Sequence, residues 1–213
     1  MPTIEDARSW YPESDPVHGF DHVLRVYRMV ERIARAEGGD VEILRAAALL
    51  HDADGSATEG GDEGRVDHHV ASAEFARRVL AAEGWEEAHI AAVQHCIRAH
   101  RFRDPSEPPQ TQEARILFDA DKLDVLGAIG IARTIAFDVV VGQPIYLEPS
   151  ERFLNTGEKE PGERHSSYHE YLFKLSKIKD RLYTQSARSL AEERHRFLAE
   201  FFNRLAAEER GEL

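Results

Sequence analysis

Apolar residues recur along most of this chain at steps of three and four positions, which is the spacing of an amphipathic α-helix. One such stripe, between Asp21 and Glu37, consists of Val23, Val26, Tyr27, Val30, Ile33 and Ala34. The alternation of apolar and polar residues that marks a half-buried strand is scarce. These patterns predict an all-α fold, a compact helical bundle in which neighbouring helices cover each stripe.

Turn and capping residues set the limits of the predicted helices. The first long helix stops at Gly38 and Gly39, and Asp40 is a suitable cap for the next helix. Further helices are predicted over 68–84, 85–102 and 111–140, and two more over 166–209 with Thr184 as a cap between them. The segment 142–164 is rich in proline and glycine and is predicted to be irregular, either a lid or a surface excursion.

Charge and hydropathy narrow the classes of partner. The 213 residues include 27 Lys and Arg against 39 Asp and Glu, a formal net charge of −12. This charge repels a phosphate backbone, so no nucleic-acid partner is expected. No apolar run approaches the roughly 18 residues of a membrane span and no signal peptide is recognisable, which predicts a cytoplasmic protein. The single cysteine, Cys96, is interpreted as a buried residue, and a homo-oligomer is left open.

One pair of polar residues interrupts the apolar pattern. His51 and Asp52 directly follow five apolar residues in AAALLHDADG. Desolvating an unpaired carboxylate costs several kcal/mol, so a buried pair needs a partner, and a bound metal cation would be one. A satisfied core histidine beside a solvated aspartate is the alternative, and for an isolated His-Asp pair it is the more frequent situation.

Two further polar residues favour the cation. His22 stands one residue before the apolar stripe of the first long helix, and Asp121 lies inside the apolar helix that contains LFDADKLDVLG. Imidazoles and carboxylates from three helices suit a divalent ion such as Mn, Mg, Fe, Ni or Zn, with positions left open for water. A set of this kind is typical of a catalytic metal site.

The ordered pattern of His22, His51-Asp52 and Asp121 resembles that of the HD superfamily of metal-dependent phosphohydrolases. The segments DADKLDVLGAIGIAR and HEYLFKLSKIKDRLYTQSARSLAEERHRF are similar to those of stand-alone bacterial members, so the resemblance runs from about residue 15 to about residue 205. It implies a single HD-type helical domain over 1–213, with a metal-site core at about 15–140 and C-terminal helices over 166–209. The chain departs from many relatives at HDADGSA, where they carry a bulky apolar residue after the His-Asp pair.

The resemblance implies a metal-dependent enzyme with His22, His51, Asp52 and Asp121 as the metal ligands. The implied reaction is hydrolysis of a small phosphorylated substrate, specifically a nucleoside triphosphate, to the monophosphate and pyrophosphate by a metal-bound hydroxide. A bound ion lowers the pKa of its water toward about 7 and polarises a phosphoryl oxygen. Two alternatives stay open: a dinuclear-iron oxygenase of the HD type, and a non-catalytic nucleotide sensor, which the intact ligand set disfavours.

Other polar residues near the predicted ligands are candidates for catalysis and substrate binding. Asp52 and Asp54 are predicted to act in catalysis, where Asp54 would orient the attacking water or brace a ligand. Asp124 is predicted to contact a metal ligand and hold it in position without binding the ion itself. Contacts with the substrate are assigned to Arg25, Lys122, His69 and His100, and the arginine cluster Arg98, Arg101 and Arg103 is a further source of positive charge.

The remaining histidines are left without a firm assignment. One of His68 and His69, together with His95 or His100, could hold a second ion, but contact with substrate or support of a ligand is favoured. A ligand role for His18 is disfavoured by Gly19 near the start of the helix. Four histidines have surroundings in sequence that suit the surface and are left unassigned, although a contact with substrate stays open for His169. They are His89, His165, His169 and His195.

Overall fold

The computed structural model describes residues 1–11, 19–53, 68–101 and 106–213. Over these ranges the regular structure is helical and includes no strand, which confirms the all-α prediction. None of the helices described is long and apolar enough to cross a membrane. The α-helices are α1 (Ile4–Arg8), α2 (Phe20–Glu37), α3 (Val41–Leu50), α4 (His68–Ala82), α5 (Glu87–Ala99), α6 (Gln112–Leu123), α7 (Gly127–Val140), α8 (Glu151–Thr156), α9 (Ser167–Phe173) and α10 (Gln185–Glu209), and a 3₁₀ helix covers Leu175–Arg181.

These residues group into two compact units. The first unit consists of Met1–Asp124 with Leu182–Ala187, and the second of Val125–Arg181 with Arg188–Leu213. A single domain over 1–213 stays a prediction, as do its internal limits.

The first unit is built around α2 and α3. Helix α2 packs against α3 and α6, while α5 packs against α3, α4 and α6. Asp40 caps α3 as predicted, because its Oδ1 accepts the backbone hydrogens of Glu42 at 2.9 Å and Ile43 at 3.2 Å. The stripe predicted on α2 is buried except at Tyr27, which is half-buried; its buried members are Val23, Val26, Val30, Ile33 and Ala34.

The single helix predicted over 111–140 is wrong, because the chain forms two helices with a break at 124–126. Leu126 is extended with φ −113° and ψ 160°, and Gly127 follows at φ +68°, a conformation that favours glycine. A Cβ at Gly130 would lie 2.2 Å from the carbonyl oxygen of Val125. Gly130 therefore allows the chain to reverse at this break, whereas at Gly127 a second helix approaches closely through Arg194.

The second unit contains two departures from the sequence prediction. The segment 142–164, predicted to be irregular, includes helix α8, whose first turn is capped by the Ser150 hydroxyl accepting the Phe153 backbone hydrogen at 3.0 Å. His169, predicted to have surface surroundings, is fully buried on α9. Its ring nitrogens lie 2.7 Å from Ser166 Oγ and 3.1 Å from Glu163 Oε1.

Candidate metal centre

The four predicted ligands come from three helices of the first unit. His22 lies in the first turn of α2, and Asp121 lies in the last turn of α6. His51 is the residue at which α3 ends, and Asp52 follows it. All four side chains are buried, because they continue the apolar faces that α2, α3 and α6 turn toward one another.

The four side chains converge. The ligand atoms of His22, His51 and Asp52 lie within 4.8 Å of one another. His51 Nε2 is 3.3 Å from His22 Nε2 and 3.8 Å from Asp52 Oδ2. Asp121 Oδ1 is 3.4 Å from His22 Nε2. The sequence thus named residues that the fold brings together, and their role as metal ligands stays a prediction.

Both histidines are held through their Nδ1 atoms. His22 Nδ1 lies 2.7 Å from Asp124 Oδ2, and His51 Nδ1 lies 2.9 Å from the Ala48 carbonyl oxygen. A carboxylate and a carbonyl oxygen can only accept, so each Nδ1 carries the hydrogen and donates it. In the neutral rings the Nε2 atoms therefore keep their lone pairs.

The facing nitrogens provide a test of whether a cation fits. Two lone pairs at 3.3 Å repel each other unless a positive charge lies between them. Two imidazole nitrogens bound at about 2.1 Å to one ion are about 3.0 to 3.4 Å apart for ligand angles of about 90 to 109°. Burial also lowers the pKa of His51, which favours the neutral ring that metal binding requires. The donor set and its spacing fit a divalent ion.

Asp52 also faces a second pair of histidines through its other carboxylate oxygen. His68 Nε2 is 3.6 Å and His100 Nε2 3.7 Å from Asp52 Oδ1, and the three ligand atoms lie within 4.8 Å of one another. His100 Nδ1 is 2.5 Å from the Ile97 carbonyl oxygen, so it donates there. Burial lowers the pKa of His100 to about 3, which keeps the ring neutral.

The other candidate histidine positions lie elsewhere. His95 bonds to Glu107 at 2.7 Å, and Arg98 donates to the same carboxylate at 2.6 Å. His69 is buried, and its Nδ1 lies 3.5 Å from Arg101 Nη1. Of the histidines left open by the sequence, His68 and His100 are thus the pair at Asp52. Three predicted residues lie outside the described ranges, and their roles stay predictions: His18, Asp54 and Arg103.

Asp124 connects His22 to an arginine. Arg25 donates to it twice, from Nε to Oδ1 at 2.8 Å and from Nη2 to Oδ2 at 3.0 Å. This paired contact fixes the carboxylate that orients the His22 ring. The geometry is that of the supporting role predicted for Asp124, and the predicted contact of Arg25 with substrate stays a prediction.

Lys122 lies against the fourth predicted ligand. Its Nζ donates to Asp121 Oδ2, and both side chains are largely buried. Burial alone would raise the pKa of Asp121, but Lys122, His22 and His100 together lower it well below its ordinary value. Asp121 is therefore a carboxylate at neutral pH, as a metal ligand must be.

Sequence reasoning missed two buried side chains that fix the surroundings of this centre. Tyr11 donates its hydroxyl hydrogen to the Leu49 carbonyl oxygen at 2.9 Å. Asp119 accepts from the backbone of Tyr183 at 2.9 Å and from the backbone and hydroxyl of Thr184, both at 2.7 Å. Two signals in the sequence could have found them. Tyr11 is an aromatic residue in a largely polar N-terminal segment, and Asp119 is an aspartate on an apolar helix face.

Comparison with known proteins identifies the family. Residues 19–126 match the HD domain family, and this range contains every residue of the centre. The chain is 31% identical over 208 residues to the protein YpgQ of Bacillus subtilis (strain 168), covering 94% of this chain and 91% of YpgQ. The chain belongs to the HD-domain family.

Solved structures agree with this family. The crystal structure of Bacillus subtilis YpgQ in complex with ADP has a TM-score of 0.72 at 28% identity, covering 97% of each chain. An HD-superfamily hydrolase from Bacillus thuringiensis has a TM-score of 0.70 at 28% identity, covering 97% of this chain and 94% of that one. These matches confirm the HD-type helical fold and relate the chain to HD-superfamily hydrolases.

Proposed function

We propose that this protein is a metal-dependent phosphohydrolase that converts a nucleoside triphosphate into the monophosphate and pyrophosphate. The observation that carries the proposal is the pair of Nε2 atoms of His22 and His51, 3.3 Å apart with their Nδ1 hydrogens already committed to other acceptors. The nucleotide is supported by the relative YpgQ, whose structure contains ADP.

The buried imidazoles and carboxylates would hold the ion, which we propose to be Mn, Mg, Fe, Ni or Zn bound by His22, His51, Asp52 and Asp121. Such an ion, when bound, lowers the pKa of a water molecule and polarises a phosphoryl oxygen. Asp124 and the Ala48 carbonyl hold the two rings so that Nε2 faces the centre. We assign orientation of the attacking water to Asp52 and Asp54.

A phosphorylated substrate needs hydrogen-bond donors and positive charge beside the ion. Lys122 supplies a cation directly beside Asp121, and Arg25 supplies one beside Asp124. His69 and His100, both buried, complete the proposed contacts with substrate. His100 also faces Asp52, so contact with substrate and contact with a second ion are alternatives for this ring.

A second ion is supported by the group of Asp52, His68 and His100. Asp52 would then belong to both ligand groups, since its Oδ2 lies 3.8 Å from His51 Nε2 and its Oδ1 lies 3.6 Å from His68 Nε2 and 3.7 Å from His100 Nε2. Two ions can clamp the attacking and leaving oxygens of a phosphoryl transfer. The same arrangement also suits the alternative function, a dinuclear-iron oxygenase, so the metal content and the chemistry have to be measured together.

The proposal is tested by incubating the manganese-loaded protein with ribo- and deoxyribonucleoside triphosphates and separating the products by ion exchange. Monophosphate and pyrophosphate are expected from the wild type and from Asp21→Ala, which removes an exposed carboxylate beside His22. Asp121→Ala is expected to give no product above background, because it removes a predicted ligand. Absence of turnover with every nucleotide would overturn the assignment, and two bound irons with a visible absorption band would favour the oxygenase.

A further inference from the structure

Tyr11 follows α1, between Trp10 and Pro12, and is buried. Its ring belongs to a cluster with Ala7, Phe20, Val23 and Leu49. A phenylalanine would fill the same space, so packing alone does not account for the hydroxyl group. The hydroxyl has a specific position, at the end of the helix that carries His51 and Asp52.

The hydroxyl bonds to the backbone of α3 two residues before His51. It donates its hydrogen to the Leu49 carbonyl oxygen at 2.9 Å. One side chain therefore bridges the N-terminal segment and the last turn of α3, three residues before Asp52, whose carboxylate faces His51, His68 and His100.

The end of α3 explains why this bridge matters. Carbonyl groups in the last turn of a helix lack partners within the helix. Here His51 Nδ1 satisfies the Ala48 carbonyl at 2.9 Å, and the Ala53 backbone satisfies the Leu50 carbonyl at 3.3 Å. Leu49, between them, is satisfied by Tyr11. The three bonds together define the path by which the chain leaves α3.

We propose that Tyr11 is a positioning residue for the metal centre, which holds the last turn of α3 so that the carboxylate of Asp52 faces the histidines on either side of it. This inference rests on the proposed metal-dependent function. Tyr11 does not contact the reacting atoms; it acts through Asp52. Loss of its hydroxyl lets the end of α3 relax and misdirects the carboxylate.

The test is the Mn²⁺ affinity of Tyr11→Phe, measured by electron paramagnetic resonance titration of the folded protein, together with kcat and KM. Supporting interactions behind a metal ligand typically contribute 10- to 100-fold in affinity or activity, so we expect a loss of about 10-fold or more. Tyr27→Phe removes a hydroxyl from a tyrosine packed against the same cluster and is expected to bind Mn²⁺ like the wild type.

A second control separates positioning from stability. Ala7→Gly loosens α1 within the same cluster, because glycine has a lower helix propensity than alanine, and it does not touch the carbonyls of α3. It is expected to lower the unfolding midpoint and to keep the Mn²⁺ affinity. An equal loss of affinity in Ala7→Gly and Tyr11→Phe would show a merely structural effect and overturn the inference.

The proposed function and this inference fail in different ways. Wild-type affinity in Tyr11→Phe, with binding lost in Asp52→Ala, would overturn the role of Tyr11 and leave the metal centre standing. If the wild type binds none of the divalent ions of Mn, Mg, Fe, Ni and Zn more tightly than Asp52→Ala does, the proposed function fails and this inference fails with it.

Discussion

Three histidines of the first unit share one arrangement, in which Nδ1 donates to a fixed acceptor and Nε2 faces the centre. The acceptors are Asp124 for His22 and backbone carbonyls for His51 and His100. His51 and His100 stand at the ends of α3 and α5, where the carbonyl oxygen three residues earlier needs a donor. The helix ends thus select the tautomer that metal binding requires.

Asp124→Asn tests this arrangement at His22. An amide cannot serve both the His22 Nδ1 hydrogen and the two donors of Arg25 as a carboxylate does, so the ring loses its fixed orientation. We expect the Mn²⁺ dissociation constant, measured by calorimetric titration, to rise about 10- to 100-fold. Asp21→Asn, which removes an exposed charge from the same end of α2, is the matched control. Equal affinities in the two variants would contradict the prediction.

At the scale of elements, Asp119 on α6 hydrogen-bonds to residues 183–184, the segment that precedes α10. Its carboxylate is fully buried and accepts three hydrogen bonds, from the backbone of Tyr183 and from the backbone and hydroxyl of Thr184. The ring of Tyr183 also packs edge-on against Phe118, with centroids 5.2 Å apart. The same helix carries Asp121, so this fastening fixes the element that holds a predicted ligand.

Asp119→Ala is expected to lower the free energy of unfolding by about 2–4 kcal/mol, because it leaves buried donors without an acceptor. Thr184→Val removes one of the three donors and keeps the acceptor, so a smaller loss of about 1 kcal/mol is expected. Urea unfolding at neutral pH measures both. A loss in Asp119→Ala no larger than that in Thr184→Val would show that the backbone bonds contribute little.

For the molecule as a whole, the response to acid depends on how its many carboxylates are bonded. In the second unit, Glu163 accepts from the backbone and hydroxyl of Ser150, at 2.9 and 2.7 Å, from the Glu160 backbone at 2.6 Å and from His169 at 3.1 Å. These bonds, led by that from the Ser150 backbone, lower the pKa of Glu163 to about 2. The charged form ties the first turn of α8 to α9.

The lowered pKa of Glu163 determines how the stability of the fold changes with pH. Because the folded value lies below the ordinary value of 4.5, the stabilisation is complete above about pH 4.5 and is lost as the pH falls toward 2. The difference in thermal midpoint between the wild type and Glu163→Gln is therefore expected to shrink over this interval. Glu160→Gln is the control. It also removes one carboxylate, but it keeps the backbone N–H that donates to Glu163. A constant difference across the interval would contradict the prediction.

The sequence determined the features that depend on local pattern and residue type. The period of three and four predicted the helices, and Asp40 and Gly38 marked a start and an end that the structure confirms. His22 and Asp121, polar residues on apolar helices, were recognisable because burial of such groups needs a partner. Family resemblance added the order of the motif, and the match over 19–126 confirms the family.

Only the tertiary structure decided which of several neighbouring groups reach the centre. His68 rather than His69 faces Asp52, and His100 rather than His95, because packing sets the rotation of α4 and α5. The break between α6 and α7 depends on the close approach of Gly130 to the Val125 carbonyl, which periodicity does not register. Tyr11 bonds across 38 positions of sequence to Leu49. Such contacts arise from packing between distant segments, so a local pattern carries no trace of them.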